Sequence, residues 1–297
     1  MKLIKLNENT YYFSAAVNIG YILKDGTGLL IDTGIDDTSI KKVLKVLDQE
    51  NLPLDYCIVT HAHTDHFGGA SYLKKKRGVK LLAPQMEKAL MENPILEPVY
   101  LWNGAYPLKE LRNKFLEGKP VEIDEVIPAG VQDIGPLHVE ILDLPGHSIG
   151  QAGVLYDDVL FAADAYFGQE ALNKHTIPFI IDAEKTIETL EKVKELPIAG
   201  AVPGHGDFEE NLIETLQANI RVHLNLMKQI TGIVETHSGM VSFDDLLKKF
   251  LDENRIQSSS LGQFLLYRTS FTAYITKLIN DGFLKVKVEG NKIYISV

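Results

Sequence analysis

Five histidines and two aspartates in this chain carry the chemistry. His61, His63, Asp65 and His66 fall within one run, Thr60-His-Ala-His-Thr-Asp-His-Phe-Gly-Gly69. His147 follows in Leu144-Pro-Gly-His-Ser148, Asp164 in Phe161-Ala-Ala-Asp164, and His205 in Pro203-Gly-His-Gly206. Imidazole nitrogens and carboxylate oxygens together hold divalent cations and leave positions open for water, as hydrolysis requires. His61 and His63, two apart on a loop leaving a strand, project to one side and share a cation with His147. Asp65 and His66, separated from them by a turn, face a second cation with His205. Asp164, with two oxygens, bridges the pair. A hydroxide shared between the cations would then attack a carbonyl carbon or a phosphorus, with Asp65 orienting it. No serine, cysteine or lysine nucleophile is needed.

Such ligands must be delivered by a scaffold, and the hydrophobic pattern suggests one. Thr10–Val17, Gly20–Lys24 and Gly28–Asp32 read as strands, punctuated by Asp25-Gly26 and Thr33-Gly34. Ile40, Val43, Leu44 and Leu47 recur at helical spacing. Tyr56–Thr60 is a short buried strand that delivers the first ligand cluster. Gly68–Gly78, Gln85–Asn93 and Tyr106–Gly118 read as helices, the last two inside an insertion at about 85–118. Leu137–Leu144 alternates and ends at His147, Gly153–Asp164 forms two strands around Asp157-Asp158, and Ala199–Val202 ends at His205. Ala183–Leu196 is an amphipathic helix. The order strand, ligand loop, helix suggests an α/β layered architecture. After His205 the texture changes. Glu210 to about His237 forms one long helix, followed by helices Ser242–Phe250 and Ser270–Asp281 and a hairpin around Glu289-Gly290-Asn291. That is the order of a winged helix. The division expected is therefore residues 1–209 and 210–297.

Composition narrows the partners. A net charge of −10 on 297 residues opposes an extended nucleic-acid footprint. No stretch approaches a membrane span, the first residues lack a secretory apolar core, and one cysteine, Cys57, precludes an internal disulfide framework. A cytoplasmic protein acting on a small molecule is the expectation.

The run His-Ala-His-Thr-Asp-His, the later Pro-Gly-His, the aspartate after an apolar strand and the final Pro-Gly-His-Gly resemble the metallo-β-lactamase superfamily over about residues 1–210. The resemblance implies a four-layer αββα sandwich with the metals at one edge, here extended by a small C-terminal winged-helix-like domain. It implies that Asp32, in Leu30-Ile-Asp-Thr-Gly34, supports the metal loop rather than binding metal. The ligand set lacks the cysteine of the antibiotic-degrading enzymes and resembles those of hydroxyacylglutathione hydrolases, lactonases and the nuclease branch. Tyr166 stands near the place where lactonases of the family carry a tyrosine.

Zinc is the first choice of metal, with iron or manganese as alternatives. His175, in the loop after Asp164, is a candidate to face substrate, as is Tyr166. His223 on a helical seam reads as a core residue, His138 as a solvent-facing one and His237 as a helix-end cation. Tyr100, Trp102, Tyr106 and Phe115 pack the insertion onto the sandwich, line a pocket or cover a homodimer surface. In the tail, Lys277, Lys285, Lys287, Lys292 and Arg268 are nearly balanced by Asp252, Glu253, Asp281 and Glu289, which favours a structural cap over a DNA-binding surface. The functional expectation is hydrolysis of a small ester, thioester or lactone. An RNA or nucleotide phosphodiesterase is the alternative, and a nucleic-acid-binding regulator comes third.

Overall fold

A computed structural model describes residues 1–237 and 240–297. Its first sheet runs β1 (Lys2–Lys5), β2 (Thr10–Ser14), β3 (Ile19–Lys24), β4 (Thr27–Ile31), β5 (Tyr56–Ile58), β6 (Lys80–Ala83) and β7 (Glu125–Val126), in that spatial order. The first four strands are antiparallel neighbours, and β4 to β7 pair in parallel. The second sheet holds β8 (Gly130–Ile134), β9 (Leu137–Asp143), β10 (Ala152–Tyr156), β11 (Val159–Ala163) and β12 (Gly200–Pro203) in the order β12-β11-β10-β9-β8. The tight turns follow their sequence. Asp25-Gly26, Asp157-Asp158 and Gly290-Asn291 all take positive φ as two-residue hairpin loops, the backbone hand that matches strand twist.

Three apolar layers hold the sandwich. Tyr12, Ile22, Leu29 and Ile58 meet Val139, Val154 and Phe161 between the sheets. On the outer face of the first sheet, Phe13, Tyr21 and Leu30 pack under α1 (Asp37–Gln49) and α3 (Ala70–Arg77), which contribute Ile40, Val43, Leu47 and Leu73. On the outer face of the second, Leu142 and Leu160 pack under Leu190 and Val193 of α7 (Ala183–Lys194) and Leu216 of α8 (Ile213–Thr236). This is the expected αββα arrangement. Cys57 is buried in the first outer layer.

The rest of α8 turns to a second core. Leu226, Ile230 and Val234 pack with Phe250 of α9 (Phe243–Glu253) and Phe271 and Tyr274 of α10 (Leu261–Asn280). Ile177, Ile180 and Ala183 from the sandwich side share that core. A third sheet, β13-β15-β14, joins β13 (Met240–Ser242) to the hairpin of β14 (Lys285–Glu289) and β15 (Lys292–Ser296). His223 is buried on α8 with its Nδ1 2.8 Å from the Tyr274 hydroxyl. His138 pairs with Asp133 in solvent, and His237 caps α8. No helix of the described residues is long and apolar enough to cross a membrane.

Two helical expectations need correction. Tyr106–Gly118 is not a helix: only Lys109–Leu111 makes a 3-10 turn. The Asn113 side chain donates to the Glu110 carbonyl and accepts from the Phe115 N–H, engaging backbone groups that a continuing helix would need. The insertion instead contains α4 (Gln85–Glu92) and α5 (Leu96–Leu101). Leu101, Leu111 and Leu116 pack against Leu265 of α10, and Phe115 stays exposed. The last helix starts not at Ser270 but at Leu261, capped by Ser260, whose hydroxyl accepts from the Gln263 N–H. Gly262 and a Thr/Ser-rich middle obscured its first half; Thr269, Ser270, Thr272 and Thr276 turn their hydroxyls onto carbonyls four residues back.

Candidate metal centre

The ligand loops leave the same end of both sheets. His61, His63, Asp65 and His66 lie past β5, where α2 (Thr64–Phe67) turns Asp65 and His66 inward. His147 lies past β9, Asp164 directly past β11, and His205 past β12. Asp32 directly follows β4 at φ 67°, and Ala163 precedes Asp164 at φ 48°, both in the left-handed region that side chains avoid. Such strain sits where the surrounding structure over-determines the backbone.

The ligand atoms of His61, His63 and His147 converge as one group, and those of Asp65, His66, Asp164 and His205 as another, each within 4.8 Å. His63 Nδ1 lies 2.7 Å from His147 Nε2. Asp164 reaches both groups: its oxygens lie 3.2 Å from His66 Nε2, 3.3 Å from His147 Nε2 and 3.4 Å from His205 Nε2. Asp65 Oδ2 lies 3.4 Å from His205 Nε2. Only glycine fits at Gly204, because a Cβ there would stand 2.1 Å from Asp164 Oδ1.

The outer nitrogens of the rings are tied back. His66 Nδ1 meets Asp32 Oδ2 at 2.7 Å, His147 Nδ1 the Phe179 carbonyl at 2.9 Å, His205 Nδ1 the Ala16 carbonyl at 3.0 Å, and His61 Nδ1 the Thr60 hydroxyl at 3.1 Å. Such contacts fix ring orientation and leave Nε2 for a cation. Asp32 also accepts from the Thr60 N–H and hydroxyl, so one carboxylate anchors both ends of the first ligand run. Buried polar atoms normally find partners. Here His61 Nε2, His66 Nε2 and Asp164 Oδ1 have no hydrogen bond among the described residues. His66 Nε2 and Asp164 Oδ1, though close, lack hydrogen-bonding geometry. Orphaned ligand atoms of the right chemistry, converging in a buried pocket, fit divalent cations.

Electrostatics separates the two groups. Burial, with neighbouring imidazoles, holds His61 well below its ordinary pKa and His63 down at about 3, and burial lowers His147 as well. These three rings are held neutral. Burial is the largest single influence on His66 and His205 and opposes their charge, but the carboxylates together outweigh it, with Asp164 foremost. Asp32 joins it in holding His66 well above its ordinary value, and Asp65 joins it in raising His205 to about 10. Without a cation, protons supply the positive charge that the carboxylates of this group require; a cation would displace them.

A cavity of about 380 Å³ opens beside the cluster. His175, at the C-terminal end of α6 (Gln169–Lys174), lines it, with burial and the nearby His205 lowering its pKa. Tyr166 does not line it, which corrects its expected place: it is buried in the outer layer of the second sheet, its hydroxyl 3.5 Å from the Ala201 carbonyl. The sequence reading also missed several residues. Glu87 on α4 accepts from the Ala62 N–H, the Ser148 hydroxyl and the Gly150 N–H, each at 2.8 Å, and so ties the first ligand run to the His147 loop. Burial raises its pKa while these donors pull it back. The available signal was a charge on the same helical face as buried Met91. Asn18 Nδ2 donates to the Pro203 and Gly206 carbonyls and braces the His205 turn. Phe179 packs its ring 5.3 Å from His63 and 5.6 Å from His147.

A two-sheet sandwich flanked by helices, with histidines and carboxylates gathered past its strand ends, defines an α/β protein with a candidate metal centre. The sequence pattern of the Metallo-beta-lactamase superfamily matches residues 15–205, and the chain belongs to that superfamily. It is 30% identical over 163 residues to a hydroxyacylglutathione hydrolase of Rhodopseudomonas palustris, covering 52% of this chain and 53% of that protein. It is 27% identical over 195 residues to one of Nitrobacter hamburgensis, covering 62% and 63%. The chain thus spans between about half and less than two thirds of these relatives' lengths. Among solved structures, a metallo-beta-lactamase family protein from Thermus thermophilus superposes with a TM-score of 0.74 at 16% identity, over 95% of this chain and 94% of that one. A beta-lactamase domain protein from Burkholderia ambifaria gives 0.71 at 15% identity, over 99% and 93%. These share the fold.

Proposed function

We propose that this protein is a dinuclear metal-dependent hydrolase of a small ester, thioester or lactone. The observation that carries the reading is the pair of converging ligand groups joined by Asp164, with buried ring nitrogens and a carboxylate oxygen left unpartnered. His61, His63 and His147 would hold one cation, Asp65, His66 and His205 the other, with Asp164 shared; zinc suits the donor set, as do iron and manganese. Divalent cations, when bound, supply Lewis acidity that makes water a nucleophile near neutral pH and polarises a carbonyl. Asp65 lines the cavity, its carboxylate held at about 2 despite burial by the His205 imidazole 3.4 Å away, so it orients the attacking water as a hydrogen-bond acceptor. His175, on the cavity wall, is placed to hydrogen-bond the departing group. Asp32 and Glu87 hold the ligand loops in register. The named activity of the relatives, hydroxyacylglutathione hydrolysis, supports a thioester.

A phosphodiesterase acting on RNA has less support, because among the described residues neither Lys nor Arg lines the cavity. The tail, with its helix, strand, helix, helix, hairpin order, is read as a winged-helix-like cap to a protein of the cytoplasm.

The test is turnover of a thioester, lactone and ester panel by metal-loaded protein, beside bis(p-nitrophenyl) phosphate and single-stranded RNA. Acyl substrates are expected to turn over, with kcat falling at least about a hundredfold in Asp65→Ala and bound metal lost in His63→Ala. Undiminished turnover by Asp65→Ala, or full metal content in His63→Ala, would remove the reading.

A further inference from the structure

The cavity is apolar apart from the ligand cluster and a few polar groups, and one of those is a carboxyl with nothing to answer it. Phe115, Leu116, Phe167, Phe179 and Leu266 form much of its wall. Glu97 lines it as well, on α5, where Pro94 and Pro98 bracket it and restrict the backbone. The residue is 8% exposed. Among the described residues no hydrogen bond or ion pair joins its carboxyl to a protein group, and burial, with Asp65 and Glu87 nearby, pushes its pKa well above the ordinary carboxylate range. Burying such a group is unfavourable unless a partner arrives, and buried polar groups seldom go without one. Asp65 lies on the same wall, and among the described residues neither Lys nor Arg lines the cavity. An N–H donor would meet an acceptor.

We propose that this cavity binds an acyl substrate with an apolar body and an N–H donor, amide or ammonium, and that the Glu97 carboxyl accepts that donor. The proposal rests on the hydrolase reading for the acyl group and adds the class of substituent. It makes Glu97 a specificity residue, outside the seven metal ligands.

Calorimetric titration tests it without turnover, so its failure is distinct from that of the hydrolase reading. The zinc-loaded full chain is titrated with non-hydrolysable ketone analogues of one length, ending in an acetylamino, ammonium, methyl or carboxylate group. The acetylamino or the ammonium analogue is expected to bind at least about tenfold tighter than the methyl one, as a buried hydrogen bond allows. Glu97→Leu is expected to abolish the donor's advantage. Glu97→Gln separates the two sources, keeping an amide's advantage to within about threefold and removing an ammonium's. Equal binding of the methyl and both donor analogues, an advantage that survives Glu97→Leu in folded protein, or no binding by any analogue would overturn the proposal.

Discussion

Glu87 shows how much one side chain outside the ligand set can carry. Its carboxylate collects three donors from segments 25 to 63 residues away in sequence. Glu87→Ala would leave those donors buried and unpaired, at a cost of about 3 kcal/mol. A urea midpoint displaced to match, together with weakened metal binding measured by competition with a chromophoric chelator, is the expected outcome. Unchanged metal affinity would show that the two loops hold their places without it. The seven candidate ligands were legible because their residue types and short motifs announce metal chemistry on their own. Glu87, Asn18 and Glu97 were not, because each owes its significance to surroundings assembled from distant segments. Tyr166 illustrates the converse: its position in the chain suggested the cavity, but the bulge between Phe161 and Ala163 changes the register at the end of β11, and the side chain lies inside the fold.

Among the elements, the interface of α8 with α10 has its own acid sensitivity. Burial lowers His223 from the ordinary 6.5 to about 4, while its ring bonds the Tyr274 hydroxyl. Below pH 6.5 the unfolded chain takes up a proton that the folded one refuses, so stability falls as pH drops from 6.5 toward 4. The loss approaches about 3 kcal/mol at the lower end. Above pH 6.5 the residue is neutral in both states and has no such effect. His223→Gln, which keeps a hydrogen-bonding group, is expected to lose less stability than the natural chain between pH 7 and pH 5, read from paired denaturant curves. Equal losses would assign the acid sensitivity elsewhere. The strands were legible because alternation and tight-turn residues agree, and α8 because its apolar seam repeats over 24 residues. The first half of α10 and the Tyr106–Gly118 loop were not. In both, polar side chains bond the local backbone, and distant packing decides whether a helix persists.

At the scale of the molecule, the C-terminal elements share cores with the sandwich. Leu216 packs with Leu190 and Val193, and Ile177 and Ile180 pack with Phe271 and Tyr274. Ending the chain at residue 209 would expose both surfaces. Such a truncation is expected to aggregate, or to lose fixed tertiary packing by near-ultraviolet circular dichroism. A soluble, cooperatively unfolding fragment would instead establish residues 1–209 as a self-sufficient unit. Gln263, Leu266, Tyr267 and Ser270 of α10 also face the cavity, although the superfamily pattern ends at residue 205. Part of the diet, beside the share written around Glu97, is therefore written outside the stretch of the gene that carries the chemistry. Drift in one late helix can change what the cavity accepts while the residues of the candidate metal centre pass unaltered from ancestor to descendant.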